Sequence, residues 1–162
     1  MEKNSKPKGN ETPQEVQPQR EAATFICSRD TLDGVYPPLI LATNARRLGM
    51  EASVFFTFMG LNVIRKGWIK KVKFRPPGFL GAIPGMATMA TGMMKKKIEN
   101  AGIPEIEDLM DMAMAEGVRI IGCKMTVDMM ELKEEDFIEG VDILTAEDYM
   151  KLAKTCKMNM FT

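Results

Sequence analysis

Histidine is absent from the 162-residue sequence. No Cys–His dyad and no Ser–His–Asp triad can be assembled within the chain. With no CxxC pair either, the ligands of a Cys/His zinc site are missing. Cysteine is scarce. Cys27, Cys123 and Cys156 are odd in number and far apart, which is not a disulfide framework and suits a reducing, cytoplasmic compartment. Neither sign of charge is in excess: 22 basic residues stand against 22 acidic ones, so bulk charge points to no nucleic acid and lends no support to peripheral membrane contact. No apolar leader of the secretory kind is present, and no run is long enough to cross a bilayer. GxGxxG and P-loop motifs are also missing, which leaves a nucleotide-binding, flavodoxin-like reading without its phosphate loop. The expectation is a chain with no metal and no cofactor. Any reactive cysteine in it must be activated by a helix terminus, a lysine or arginine, or a partner.

What is abundant is methionine, at 16 residues. Thioethers suit Cu(I). Here they recur at helical spacings instead of in a compact tract, which favours a core or an oligomer interface. Residues 1–21 are polar, cannot bury enough surface to offset ordering entropy, and read as a disordered N-terminal tail. Residues 22–162 read as one α/β domain.

Within that domain the pattern alternates. Ala22–Cys27 reads as a strand. Leu32–Leu48 reads as a helix whose true start is near Tyr36, because Pro37 and Pro38 fit best in a first turn. Glu51–Phe58 is nearly continuous in apolar character, as in a strand covered on both faces. Met59–Gly85 is irregular. It carries a short helical turn at Gly60–Ile64, a basic patch around Trp68, and an apolar segment, Phe79–Ile83, expected to be buried against a neighbouring subunit or over a site. Met86–Asn100 is helical, with Met86, Met89, Ala90, Met93, Met94 and Ile98 as a packing stripe. Glu105–Glu116 is a second helix, started by Pro104 at a first-turn position. Val118–Ile121 is a strand, after which Gly122 turns the backbone and a helix runs to about Leu132. Val141–Leu144 is a short strand. Ala146–Lys157 is the last helix, with Cys156 near its end as a structural or incidental residue. Such alternation predicts a three-layer α/β sandwich, a mostly parallel sheet with helices on both faces.

In parallel sheets reactive groups gather at the carboxyl ends of the strands. Cys27 and Cys123 are both expected there. So are Ser28, Arg29, Asp30, Thr57, Gly60, Gly122 and Lys124. Cys123 at a helix start would meet unpaired N–H groups and a dipole that favour a thiolate. Lys124 and Arg29 would add positive charge. The same position also suits a small buried hydrophobe, the commonest state of a free cysteine.

Three runs are specific in combination: Cys27-Ser28-Arg29-Asp30-Thr31-Leu32-Asp33-Gly34-Val35-Tyr36-Pro37, Phe55-Phe56-Thr57-Phe58-Met59-Gly60-Leu61, and Gly122-Cys123-Lys124-Met125-Thr126-Val127-Asp128-Met129. In that order they resemble the DsrE/DsrF-like (DsrEFH) sulfur-relay family, in its Met-rich, extended branch of sulfurtransferase-type and peroxiredoxin-like proteins. The resemblance spans about residues 22–162. It implies a DsrE-like, flavodoxin-like α/β arrangement assembled as a homo-trimer or hexamer. It further implies a sulfurtransferase or sulfur carrier that holds a persulfide on Cys123. Sulfane sulfur would pass between donor and acceptor proteins with reactive thiols, and Cys27 matches a second cysteine of the branch. Thiol-to-thiol sulfur transfer needs neither histidine nor metal. The alternative is a non-catalytic oligomeric module that binds a redox or membrane partner, with Cys123 merely packed.

Overall fold

A computed structural model describes residues 20–78 and 83–162. Residues 1–19 of the tail expected over 1–21, and residues 79–82 of the apolar segment expected over 79–83, lie outside the described residues, while residues 20 and 21 belong to the first strand. Among the described residues five strands form one sheet: β1 (Arg20–Cys27), β2 (Glu51–Phe56), β3 (Arg119–Cys123), β4 (Val141–Leu144) and β5 (Cys156–Phe161). The order across the sheet is β4-β3-β2-β1-β5, and every neighbouring pair is parallel. The helices are α1 (Leu32–Arg47), α2 (Met86–Asn100), α3 (Ile106–Ala115), α4 (Lys124–Met129) and α5 (Ala146–Ala153).

The topology decides which helix covers which face. From β1 to β4 the chain advances in one direction, so right-handed crossovers put the connecting helices on one face. The β4–β5 connection returns across the whole sheet, and the same handedness puts α5 on the other. The buried residues divide accordingly. Phe25, Cys27, Val54, Phe56 and Ile120 pack with Leu39 of α1, Met110 of α3 and Leu61 in the main core. On the opposite face Phe55, Ile121 and Cys123 pack with Tyr149 and Ala153 of α5. Tyr149 stacks on Phe55 at 4.0 Å and exchanges a hydrogen bond with Thr24, which accepts another from Ser53.

Several expectations are corrected. α1 starts at Leu32, so both prolines lie inside it. Its first turn survives because Gly34 N–H and Val35 N–H donate to the Thr31 carbonyl. β2 ends at Phe56, and the chain leaves the sheet two residues earlier than its apolar run suggests. α4 stops at Met129 and α5 at Ala153. The segment read as the end of the last helix is instead β5, and Cys156 opens that strand, buried against Leu152. The methionine stripe of α2 is only partly a packing face: Met94 joins the core, while Met89 and Met93 are exposed. α2 is anchored through Thr91, whose hydroxyl accepts from Phe74 N–H at 2.9 Å and donates back to the Ala87 carbonyl at 2.6 Å. Pro104 precedes α3 and does not start its first turn, since Glu105 is the N-cap.

Candidate functional site

Both candidate thiols lie at the carboxyl edge of the sheet, as expected, but in different surroundings. Register aligns Cys27 with Phe56 and Phe56 with Gly122. Side chains alternate along a strand, so Cys27 and Gly122 face the α1 side while Cys123 faces α5. Cys27 and Cys123 are thus on opposite faces and two strands apart, roughly 10 Å between backbones. A disulfide needs about 4.4–6.8 Å between Cα atoms and Cβ vectors that converge. A dithiol pair within one protomer is excluded without rearrangement, and none of the three cysteines is in a disulfide.

The Cys27 end is closed. Cys27 is 0% exposed. Its Sγ donates to the Arg29 carbonyl at 3.5 Å and the Gly34 carbonyl at 3.6 Å. Gly34 has a carbonyl to offer because Pro38, four residues on, has no N–H to occupy it. Burial pushes the Cys27 thiol up to about 12, against a smaller opposing effect of the Arg29 backbone. The loop above it is tied down. Ser28 Oγ donates to the Thr162 carbonyl at 3.2 Å. Asp30 accepts from Asn62 Nδ2 at 3.2 Å and pairs with Arg75 at 3.7 Å. Arg29 pairs with Asp33 at 3.9 Å, and its charge acts to lower the Cys27 thiol, outweighed by burial. A 3₁₀ segment, Phe58–Ile64, closes over this loop. Gly60 N–H donates to the Ser28 carbonyl at 3.1 Å, and a Cβ on Gly60 would lie 2.2 Å from the Cys27 carbonyl oxygen. Only glycine admits that approach.

The Cys123 end is built differently. Gly122 and Cys123 belong to β3 and not to a turn, a correction to the expected bend. Gly122 serves by lacking a side chain: an added Cβ would meet Ile143 at 2.9 Å, Leu61 at 3.2 Å and Ile64 at 3.4 Å. Cys123 is the N-cap of α4 and is 3% exposed, packed among Phe55, Ile121 and Tyr149. Lys124 forms an i,i+4 ion pair with Asp128. Thr57 continues the line of β2 beside Cys123. Its hydroxyl is 3.3 Å from that of Thr126, and Thr126 Oγ1 also accepts from Phe58 N–H at 3.2 Å. Phe58 sits at φ +46°, a left-handed conformation that costs a bulky residue about 1–2 kcal/mol, and it is 53% exposed.

Of the expected residues, Ser28, Arg29, Asp30 and Gly60 surround Cys27, whereas Thr57, Gly122 and Lys124 surround Cys123. Thr126 and Asn62 were not among them, while Phe58 and Met59 were expected at this edge within the run Thr57–Gly60. Thr126 falls within the Gly122–Met129 run, the one sequence signal that includes it. Nothing in the sequence marks the left-handed Phe58. Among the described residues no three Cys, Asp or Glu side chains gather as a metal site, and no helix is long and apolar enough to cross a membrane.

Residues 19–161 match the family model described as DsrE/DsrF/DrsH-like. The chain belongs to that family. It is 34% identical over 151 residues to the sulfur carrier protein DsrE2 of Allochromatium vinosum, covering 83% of this chain and 94% of that protein. It is 25% identical over 159 residues to the uncharacterized protein YrkE of Bacillus subtilis, across 88% and 98% of the two chains. The ychN protein of E. coli shares the fold at a TM-score of 0.59 and 13% identity, covering 89% of this chain and all of that one. DsrE/DsrF/DrsH-like membership thus extends over both cysteine-bearing strand ends and over β5.

Proposed function

We propose that the chain is a sulfur carrier of this family, with Cys123 holding a sulfane sulfur as a persulfide. The observation that carries the reading is the 34% identity, over nearly the full length of both chains, to a protein named a sulfur carrier. The placement of Cys123 at the carboxyl end of a parallel strand supports it. The Cys123 thiolate attacks the outer sulfur of a donor persulfide, R–S–SH. The new S–S bond forms on Cys123 and the donor's inner sulfur leaves as a thiolate. An acceptor thiolate then attacks the outer sulfur of Cys123–S–SH and releases the Cys123 thiolate. No net oxidation occurs, and no cofactor is required. Donor and acceptor are thiol-bearing proteins, and the working form is a cytoplasmic homo-trimer or hexamer.

The chemistry requires Cys123 to leave its packed position among Phe55, Ile121 and Tyr149. α4 has six residues, a length that is marginal as a helix. Lifting it would uncover Val127, packed in the main core, at a cost of about 1.5–3 kcal/mol. The remaining expected residues then have stated roles. Thr57 and Gly122 shape the edge beside Cys123, Lys124 fixes the first turn of α4, and Ser28, Arg29, Asp30 and Gly60 close the loop over Cys27.

The test is to incubate the protein with a low-molecular-weight persulfide and weigh it under non-reducing conditions. Wild type gains one sulfur atom located at Cys123, Cys123→Ser gains none, and Cys27→Ser still does. A wild-type Cys123 that stays unmodified would show the packed, non-catalytic module instead.

A further inference from the structure

We propose that Tyr149 is the gate of the sulfur-exchange site: its ring closes over Cys123 from the α5 side and, by turning into the groove beside it, admits the donor and acceptor thiols. The proposal rests on the reading of Cys123 as the carrier. Cys123 faces α5, the one helix on that side of the sheet among the described residues, so access has to open there. α5 leaves the carboxyl end of β4, where Leu144 pairs with Cys123, and ends near the amino end of β5. Two of its side chains are buried, Tyr149 and Ala153. Tyr149 is the bulky one, and it lies one turn nearer the edge that bears Cys123.

The hold on the ring is specific and releasable. Its face stacks on Phe55 at 4.0 Å, and its hydroxyl shares a hydrogen bond of 3.2 Å with Thr24, to which Ser53 donates at 2.8 Å. Thr24 and Ser53 are partners in register, so two adjacent buried positions of the sheet carry hydroxyls within an otherwise apolar cluster. Packing gains little from them, because replacing both partners of a buried polar pair by apolar groups of the same shape is nearly neutral. What they supply is a directional hold on one side chain. The ring also has somewhere to go. A groove of about 280 Å³ lies against Tyr149, bounded by Ile26, Met150, Met160 and Phe161. A cavity of about 150 Å³ already takes a benzene ring. Met150, Met160 and Phe161 are exposed, so the rim of the groove yields without disturbing the core. Turning about the Cα–Cβ bond carries the ring off Phe55 and opens a slot beside Cys123, while α4 and Val127 stay in place.

The experiment follows alkylation of the native protein by iodoacetamide, with mass spectrometry locating each adduct. The Cys123 thiolate displaces iodide, so its rate reports the fraction of molecules that are open. Wild-type Cys123 reacts at a rate that low urea leaves unchanged, whereas Cys27 reacts through unfolding and accelerates steeply with urea. Tyr149→Phe and Thr24→Val each remove the hold and raise the Cys123 rate about fivefold, the worth of one hydrogen bond, still without urea dependence. The two together do no more than either alone, because they break the same bond. Val127→Ala loosens α4 by shortening a side chain in the main core, and it leaves the Cys123 rate within about twofold.

A Cys123 rate unmoved by Tyr149→Phe and Thr24→Val overturns the gate, and a rise of about tenfold with Val127→Ala in its place would put the opening at α4. Wild-type Cys123 labelling that tracks Cys27 through the urea series also overturns it, since the opening would then be global. Loading from a low-molecular-weight persulfide separates the gate from the carrier reading. Loading that quickens about fivefold in Tyr149→Phe supports both. Loading at one rate in wild type and in both variants overturns the gate alone. A protein whose alkylation shows the gate but whose Cys123 takes up no sulfur keeps the gate, as a control on thiol reactivity, and loses the carrier reading.

Discussion

Two cysteines end two strands of one sheet at nearly the same height, and the fold treats them in opposite ways. At Cys27 every neighbouring group closes inward. Two carbonyls hold the thiol, a proline leaves one of them available, and Gly60 lets a second backbone press on the strand end. At Cys123 the strand runs straight into a helix too short to be stable alone, under a strained corner with exposed apolar side chains. Family resemblance alone would treat the pair as two thiols of one site. The alternation of side chains puts them on different faces. A cysteine's chemistry is thus set by the groups that surround it more than by its place at a strand end.

The comparison is broken most severely at Gly60. Gly60→Ala drives a Cβ into the Cys27 carbonyl at 2.2 Å, where only backbone can give way. The expected loss is about 3–5 kcal/mol, seen as a collapse of the chemical-denaturation midpoint, with Cys27 becoming reactive. Next in size is the contrast in reactivity. In the folded protein at pH 8 an alkylating agent modifies Cys123 at least about a hundredfold faster than Cys27, and denaturant brings the two rates together. Peptide mapping of the alkylated protein checks it.

A third experiment uses pH. The Cys27 thiol is raised from 9.0 to about 12 in the folded state. Between those values the unfolded chain releases a proton that the folded chain keeps. Stability is therefore full below pH 9 and falls as pH rises towards 12, by at most about 1.4 kcal/mol per unit. Cys27→Ala removes that contribution to the slope, measured by urea unfolding at pH 8, 9 and 10; an unchanged slope would show that Cys27 does not cause it. The smallest effect is at Phe58. Phe58→Gly relieves the left-handed strain and raises stability by about 1 kcal/mol, read as a higher denaturation midpoint, while Thr126→Val lowers it by about as much.

Much of this fold was legible. The alternation of strands and helices and the continuous apolar run in β2 correspond to the elements found. β5 was hidden because Cys-Lys-Met-Asn-Met-Phe lacks β-branched residues and begins only two residues after α5. The early start of α1 was hidden because proline's missing N–H usually ends a helix, and here the vacated carbonyl has found a thiol donor. At the site, residue types were readable but facing was not. Whether Cys123 points towards α1 or α5 depends on a one-residue register that only the paired strands fix. Gly122 was read as a hinge because glycine's two uses, backbone freedom and an absent side chain, look identical in sequence.

The placement of β5 beside β1 has a consequence for how the chain acquires its structure. Thr162 and Ile26, joined by hydrogen bonds, are 136 residues apart in the chain. The inner strand β1 thus has one edge paired early, by β2, and the other left open until nearly everything between has been made and ordered. Contacts of such long sequence separation carry the largest closure entropy and form slowly. During that interval the outer edge of β1 is an unpaired ribbon next to a half-built core, and a neighbouring copy's β5 would fit it as well as its own. Exchange of this strand between chains during refolding at high concentration is the hazard built into the topology.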